Sequence, residues 1–240
     1  MNRHLIVCLL ALGLLPIHYV QSYTTNNVRA YIMKDSVQTD VPSTSLTPAE
    51  RGAILEGDTA RLMRVIQDTV ATERETLRTP SKAIDPKDAL LAVLAKRMYL
   101  AVTDPAHRGV GIAAPQVGIN RNVIWVQRFD KAGEPFELYL NPTITWRSSL
   151  LRKGQEGCLS IPDTVGDVLR HYTIRISYQN QEGTWHEELV EGFTAVIFQH
   201  ETDHLRGILF TDRLTEQAEK TYHQINGEVP LYLENRLKKQ

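Results

Sequence analysis

The sequence predicts an α+β fold, because apolar residues recur at helical spacing in its first part, short β-prone runs follow, and a further helical segment comes after them. This segregated order disfavours an alternating parallel α/β arrangement, and no internal repeat is present. A chain of 240 residues with 42% hydrophobic content suits one globular catalytic domain plus some additional sequence. The formal net charge of -1 gives no basic excess that would draw the chain to nucleic acid or an anionic membrane, so neither is implied as a partner.

The N-terminus reads as a targeting segment. An apolar run from Leu5 to Leu15 follows Met1 to His4, and no acidic residue precedes Asp35. Residues 1–22 therefore have the character of a signal peptide, with Ser22 available near a cleavage point. Pro16 and His18 stop the run short of the ~20 apolar residues that a membrane span needs, so no stable membrane anchor is expected. An exported or periplasmic address follows, with a cytoplasmic one as the alternative. Of the two cysteines, Cys8 lies inside this segment, and a processed chain would keep Cys158 alone, without an internal disulfide.

Residues 23–53, rich in Thr, Ser, Asn and Pro, read as a linker or poorly ordered arm, and the catalytic domain is expected over 54–214 with a C-terminal extension over 215–240. Leu62, Val65, Ile66 and Val70 recur at helical spacing. A second helix is expected from Asp85 and Pro86, burying Leu90, Leu91, Leu94, Met98 and Val102. The β-prone runs are Asn122 to Val126, Leu138 to Trp146, and Thr173 to Tyr178 turning into Trp185 to Val190. A last helix is expected from Phe193 to Arg206, closed by Gly207.

That last helix carries His200-Glu-Thr-Asp-His204. Spacing of i, i+4 places both imidazoles on one face with Glu201 beside them, which supplies two metal ligands and a base. Two hydrogen-bonded histidines on an ordinary helix would show the same letters. Val196 and Ile197 share the face, however, and imidazoles beside apolar neighbours are costly unless bonded or ligated. A catalytic metal needs a third protein ligand and an open position, and Cys158 in Glu156-Gly-Cys-Leu-Ser160 is the candidate. Gly109-Val-Gly-Ile-Ala-Ala-Pro-Gln116 lacks the Gly-Lys ending of a phosphate loop, and Pro115 would interrupt a dinucleotide-binding helix. Its small residues instead let an extended backbone approach a ligand.

These three motifs, in this order, resemble those of the peptide deformylase family, and the similarity runs from about Ile54 to Leu214. The resemblance implies antiparallel or mixed sheets packed around a central metal-binding helix. It implies Cys158, His200 and His204 as metal ligands, Glu201 as proton acceptor, and Gln116 and the Leu159 backbone N–H as stabilisers of an oxyanion. It also implies ferrous iron as cofactor, with zinc, nickel or cobalt suited to the same donors, and N-formylmethionyl peptides or nascent chains as substrate. Val110, Gly111 and Gly157 are the expected backbone contacts of the substrate, and Phe193, Val196 and Ile197 the wall of its methionine pocket. Glu156, Asp203 and Arg170 are candidates for orienting the ligands.

Two other readings compete. A zincin-type protease would take its third ligand downstream, from Asp212, Glu216 or Glu219, and a closed structural zinc site would recruit His171 or His186. Because the arm before Ile54 carries no site residue, a protein starting at Met33 is expected to release formate from a formyl-methionyl peptide as fast as the full chain. A slower rate would give the arm a part in the chemistry. N-terminal sequencing of the native protein checks the address, a start near Tyr23 in an extracytoplasmic fraction being the expected result.

Overall fold

The computed structural model describes residues 45–225 and 227–235, so the signal-like segment and most of the expected arm lie outside the described residues. The arm ends earlier than the sequence suggested. Residues 48–53 belong to helix α1 (Pro48–Leu55), whose N-cap Thr47 and Glu50 form a reciprocal capping box with Pro48 at the first position. Glu50 also accepts two bonds at 2.7 Å from the buried Arg121 guanidinium, and Ile54 enters the core.

The helical periodicity around Leu62 to Val70 does not produce a helix. Buried Arg97 donates to the carbonyls of Ile54, Glu56 and Arg61 at 2.6, 3.0 and 3.0 Å, which holds the chain in an irregular loop. Ile66 and Asp68 then give their backbone donors to Gln116 and Ser160 rather than to a preceding turn. Long-range backbone bonds thus displace the local pattern. Helix α2 (Ala71–Arg78) follows, burying Leu77. Helix α3 (Leu91–Val102) begins later than expected because Asp85 and Asp88 each accept from a backbone N–H two residues on, making turns first. Its buried face contains Leu91, Leu94, Met98 and Val102, as periodicity requires, with Leu90 half-buried beside it.

Two antiparallel sheets follow. The first runs β1 (Gly111–Ala113), β2 (Val123–Gln127), β3 (Phe136–Arg147), β6 (Thr173–Gln179), β7 (Trp185–Glu191) in spatial order. The second runs β5 (Ile161–His171), β4 (Leu150–Cys158), β9 (Leu231–Glu234), β8 (Tyr222–Gln224). The expected strands lie within β3, β6 and β7, and within β2 apart from Asn122, which precedes it. The β4–β5 hairpin was not expected: the polar stretch Arg152 to Gln155 and the two glycines of β4 hide the alternation that marks a half-buried strand. The described residues after 214 are likewise more than an extension, since they complete helix α5 (Phe210–Ala218) and supply β8 and β9, which pairs Leu233 with Leu150 and Tyr232 with Leu151.

Helix α4 (Gly192–Leu205) lies between the sheets, packing on β1 and β2 and touching β5. Ile124, Val126, Ile174 and Ile176 from the first sheet close on Ala195, Ile197 and Phe198 of the helix. A smaller cluster, Ile66, Leu77, Ile161, Leu209 and Phe210, lies beside Cys158. This is the central-helix α+β architecture implied by the motifs. No helix among the described residues is long and apolar enough to cross a membrane.

Gly207 closes α4 with φ +71°, and a Cβ there would run into the Arg78 carbonyl. Gly207→Ala is therefore expected to lower unfolding free energy by about 2 kcal/mol or more in chemical denaturation, through φ strain and displacement of α2. An unchanged midpoint would contradict this account of the cap.

Candidate metal centre

Cys158 ends β4, where the hairpin register shifts between Gly157, paired with Val165, and Cys158, paired with Ile161. The irregularity turns the thiol toward α4. There His200 and His204, one turn apart with ring centroids at 5.1 Å, complete a group whose three donor atoms all lie within 4.8 Å of one another. Cys158 Sγ is 3.3 Å from His204 Nε2. Sulfur and nitrogen bound to one tetrahedral ion stand about 3.5 Å apart, close to the Cys158–His204 spacing, which makes the three residues a candidate donor set for a divalent metal.

The surroundings fix these groups electrostatically. Burial pushes the Cys158 thiol up, but the His204 and His200 rings outweigh it and bring it down to about 5, favouring the ligating thiolate. Burial likewise opposes ionisation of Glu156, yet Arg170 and His200 hold its carboxyl down at about 2. Glu156 accepts from Arg170 Nε and Nη2 at 2.8 and 2.9 Å, and its Oε2 lies 2.9 Å from His200 Nδ1. Arg170 continues to Asp203 at 2.5 Å, and Arg213 of α5 donates twice to the same carboxylate, at 2.9 and 2.6 Å. The three residues singled out as orienting groups thus form one buried chain behind His200. Arg213 was missed, since nothing local ties it to a motif.

Glu201 is different. It is only 3% exposed, burial raises its carboxyl to about 7, and Oε2 has no hydrogen-bond partner. Its neighbour is Gly111, where a Cβ would collide with Glu201 Oε1 and stand 2.8 Å from Ile197 Cγ2. The glycine therefore makes room for the α4 side chains. Gln116 lies in a 3-10 turn (Ala114–Val117) and accepts from Ala113 N–H at 2.8 Å, which turns its Nε2 toward Cys158 Sγ at 3.5 Å and Ser160 Oγ at 3.4 Å.

A cavity of about 1100 Å³ opens over these groups. Val110, Gly111, Gly157, Phe193, Val196 and Ile197 all line it, together with Gln116, Cys158, Leu159, His200 and Glu201. Phe193 is 41% exposed and tilts against Phe129, which makes it a rim residue and not core. The wall also includes Leu62, Val65 and Gln67 from the irregular loop, which the helical expectation had concealed. Residues required by the competing readings are engaged elsewhere. His171 Nδ1 meets the Ser148 carbonyl at 2.6 Å, His186 stacks on Tyr178, Asp212 caps α5, and Glu216 binds Arg213 and Lys220. Glu219 does not join the group of three donors either.

Comparison with known proteins agrees with this geometry. A model of the polypeptide deformylase family matches residues 66–220. The peptide deformylase of Prochlorococcus marinus is 38% identical over 146 residues, covering 60% of this chain and 71% of its own, and that of Synechocystis sp. is 40% identical over 141 residues, covering 58% and 74%. Among solved structures, a Met-Ala-Ser-bound class I type b peptide deformylase from Acinetobacter baumannii superposes with TM-score 0.58 and 34% identity, covering 64% of this chain and 99% of its own. An actinonin complex of the Synechococcus elongatus peptide deformylase gives TM-score 0.56 and 33% identity, covering 63% and 79%. With the family model matching well over half of its length, the chain belongs to the polypeptide deformylase family.

Proposed function

We propose that this chain carries out deformylation with one divalent metal held by Cys158, His200 and His204, hydrolysing the formyl group of N-terminal formyl-methionine on new polypeptides or peptides. Formate and a free amine are the products. The observation that supports this most is the meeting of a thiolate-prone cysteine, two imidazoles and a partnerless Glu201 carboxylate oxygen at one group of donors below a single cavity. A divalent metal in this donor set supplies Lewis acidity, which makes water a nucleophile near neutral pH and polarises the carbonyl.

Glu201 accepts the proton of the attacking water at Oε2 and delivers it to the amine nitrogen as the C–N bond breaks. Gln116 Nε2 and the Leu159 N–H stabilise the oxyanion between these steps, one well-placed donor being worth ~3 kcal/mol. Glu156, by engaging His200 Nδ1, leaves the other ring nitrogen for ligation. β1 is an edge strand of its sheet, so Gly111 and the N–H of the preceding Val110, whose carbonyl accepts from Gln127 N–H, can pair with an extended peptide whose other side meets Gly157. The methionine side chain then lies against Phe193, Val196 and Ile197. Ligation by one thiolate and two imidazoles is compatible with ferrous iron, our choice for the native metal, and with zinc, nickel or cobalt. The apolar run over Leu5 to Leu15 supports an exported address as part of the same reading.

Glu201→Ala is expected to retain one metal per chain and lose at least ~100-fold in formate release, whereas His204→Ala loses the metal itself. Metal analysis beside the formate assay separates the two, and wild-type turnover in Glu201→Ala would remove Glu201 from the mechanism. Iron as working metal leads to a second expectation. Activity of the iron-loaded protein should decay in air while nickel- or cobalt-loaded protein keeps its rate, because oxygen readily oxidises ferrous ion, and through it the bound thiolate, whereas the nickel and cobalt forms lack that reaction. An air-stable zinc form of equal activity would refute it.

A further inference from the structure

We propose that Gln67 is a positioning residue for deformylation, which registers the two oxyanion donors against each other and aims a backbone N–H at Cys158. The proposal rests on the roles given above to Gln116 and Leu159. Three consecutive residues outside any helix or strand tie the two donor segments together. Ile66 N–H donates to the Gln116 carbonyl at 2.8 Å, Gln67 Nε2 to the Leu159 carbonyl at 3.0 Å, and Asp68 N–H to the Ser160 carbonyl at 2.9 Å. Gln116 and Leu159 come from segments far apart in sequence, and residues 66–68 bond directly to both. Only Gln67 among these three does so through its side chain, so only its bond can be removed while the backbone pairing stays.

The Leu159 carbonyl belongs to the same planar peptide as the Ser160 N–H, which points at Cys158 Sγ with N to S of 3.4 Å. Gripping one end of that peptide orients the other. Gln67 is itself held firmly: its amide also donates to the Val65 carbonyl at 3.3 Å, and its backbone N–H donates to Glu73 at 2.6 Å. Glu73 is in turn bound by Arg64 at 2.5 Å. The Gln67 amide cannot turn without losing two bonds at once. Ile66 anchors the same segment from below, buried against the cluster of Leu77, Ile161 and Phe210. A small displacement of a donor from the developing charge lowers rate without lowering ground-state affinity.

Gln67 also lines the cavity, so a direct substrate contact is the rival explanation that a test must separate. Gln67→Leu, Gln67→Glu and Gln116→Leu, each loaded with cobalt and assayed per bound cobalt, provide it. Gln67→Leu should lower kcat about tenfold with KM within about twofold of wild type, because the oxyanion donors are loosened and not removed, whereas Gln116→Leu should lower kcat about 100-fold. Gln67→Glu keeps the length of the side chain but, ionised, donates nothing, and should lower kcat as Gln67→Leu does. In both Gln67 variants the thiolate-to-cobalt charge-transfer band should shift, reporting the altered N–H to Cys158 contact independently of turnover. A raised KM with unchanged kcat would make Gln67 a substrate contact and overturn the proposal. Wild-type kcat in Gln67→Glu, or an unmoved band in both variants, would also overturn it by leaving only space-filling. Loss in Gln67→Leu with none in Gln116→Leu would instead overturn the assignment of Gln116 as an oxyanion donor.

Discussion

The placement of Arg170 between two buried carboxylates is the constraint on which the rest of the site depends. Its guanidinium, 4% exposed, bonds Glu156 of β4 and Asp203 of α4 from its own position on β5. Two carboxylates and a guanidinium taken out of water are tolerated only if each is paired in good geometry, and removal of any partner leaves an uncompensated charge costing ~3–5 kcal/mol. Arg213 completes the pairing of Asp203 from α5. The hairpin, the central helix and the following helix are therefore held in one relative placement by electrostatics rather than by apolar packing alone. His200 is attached to this chain through Glu156, so its ring, which faces Cys158 and His204, inherits the chain's rigidity.

A second constraint is steric. α4 approaches β1 so closely at Gly111 that no side chain fits there. The approach buries Glu201 and withholds water from it, which raises its carboxyl toward the range useful to a proton shuttle. At the same place β1, by its position in the sheet, is a short edge strand beside the cavity, with its paired side taken by β2. The desolvated Glu201 carboxyl and the open edge beside the cavity thus meet at one packing contact. Glycine here serves the protein interior first, and any benefit to a bound backbone is secondary.

Local signals carried much of this into the sequence. Helix α4 was legible because its apolar positions, its metal-binding spacing and Gly207 agree, and β2, β3, β6 and β7 because β-branched and aromatic residues cluster in short runs. Thr47 to Glu50 also carried a readable capping box, overlooked within a polar stretch that resembles a linker. The β4–β5 hairpin was not legible, because its buried positions include Glu156 and Arg170, whose interior placement depends on partners from another segment. The segment around Ile66 misled for the opposite reason: its helical spacing is real, but its backbone donors are claimed by Gln116 and Ser160.

By itself, then, the sequence determined the α+β class, through the order of its helical and β-prone runs, and the family, through three short motifs, one of which places two histidines at i, i+4 on helix α4. Only the tertiary structure decided how Cys158 meets His204, why Glu201 is desolvated, that Arg213 closes the charged chain, and that residues 66–68 bond both the Gln116 turn and the end of the β4 segment. Those features depend on contacts between segments far apart in the chain. Such contacts are set by burial and pairing in three dimensions, and a residue's neighbours in sequence do not specify them.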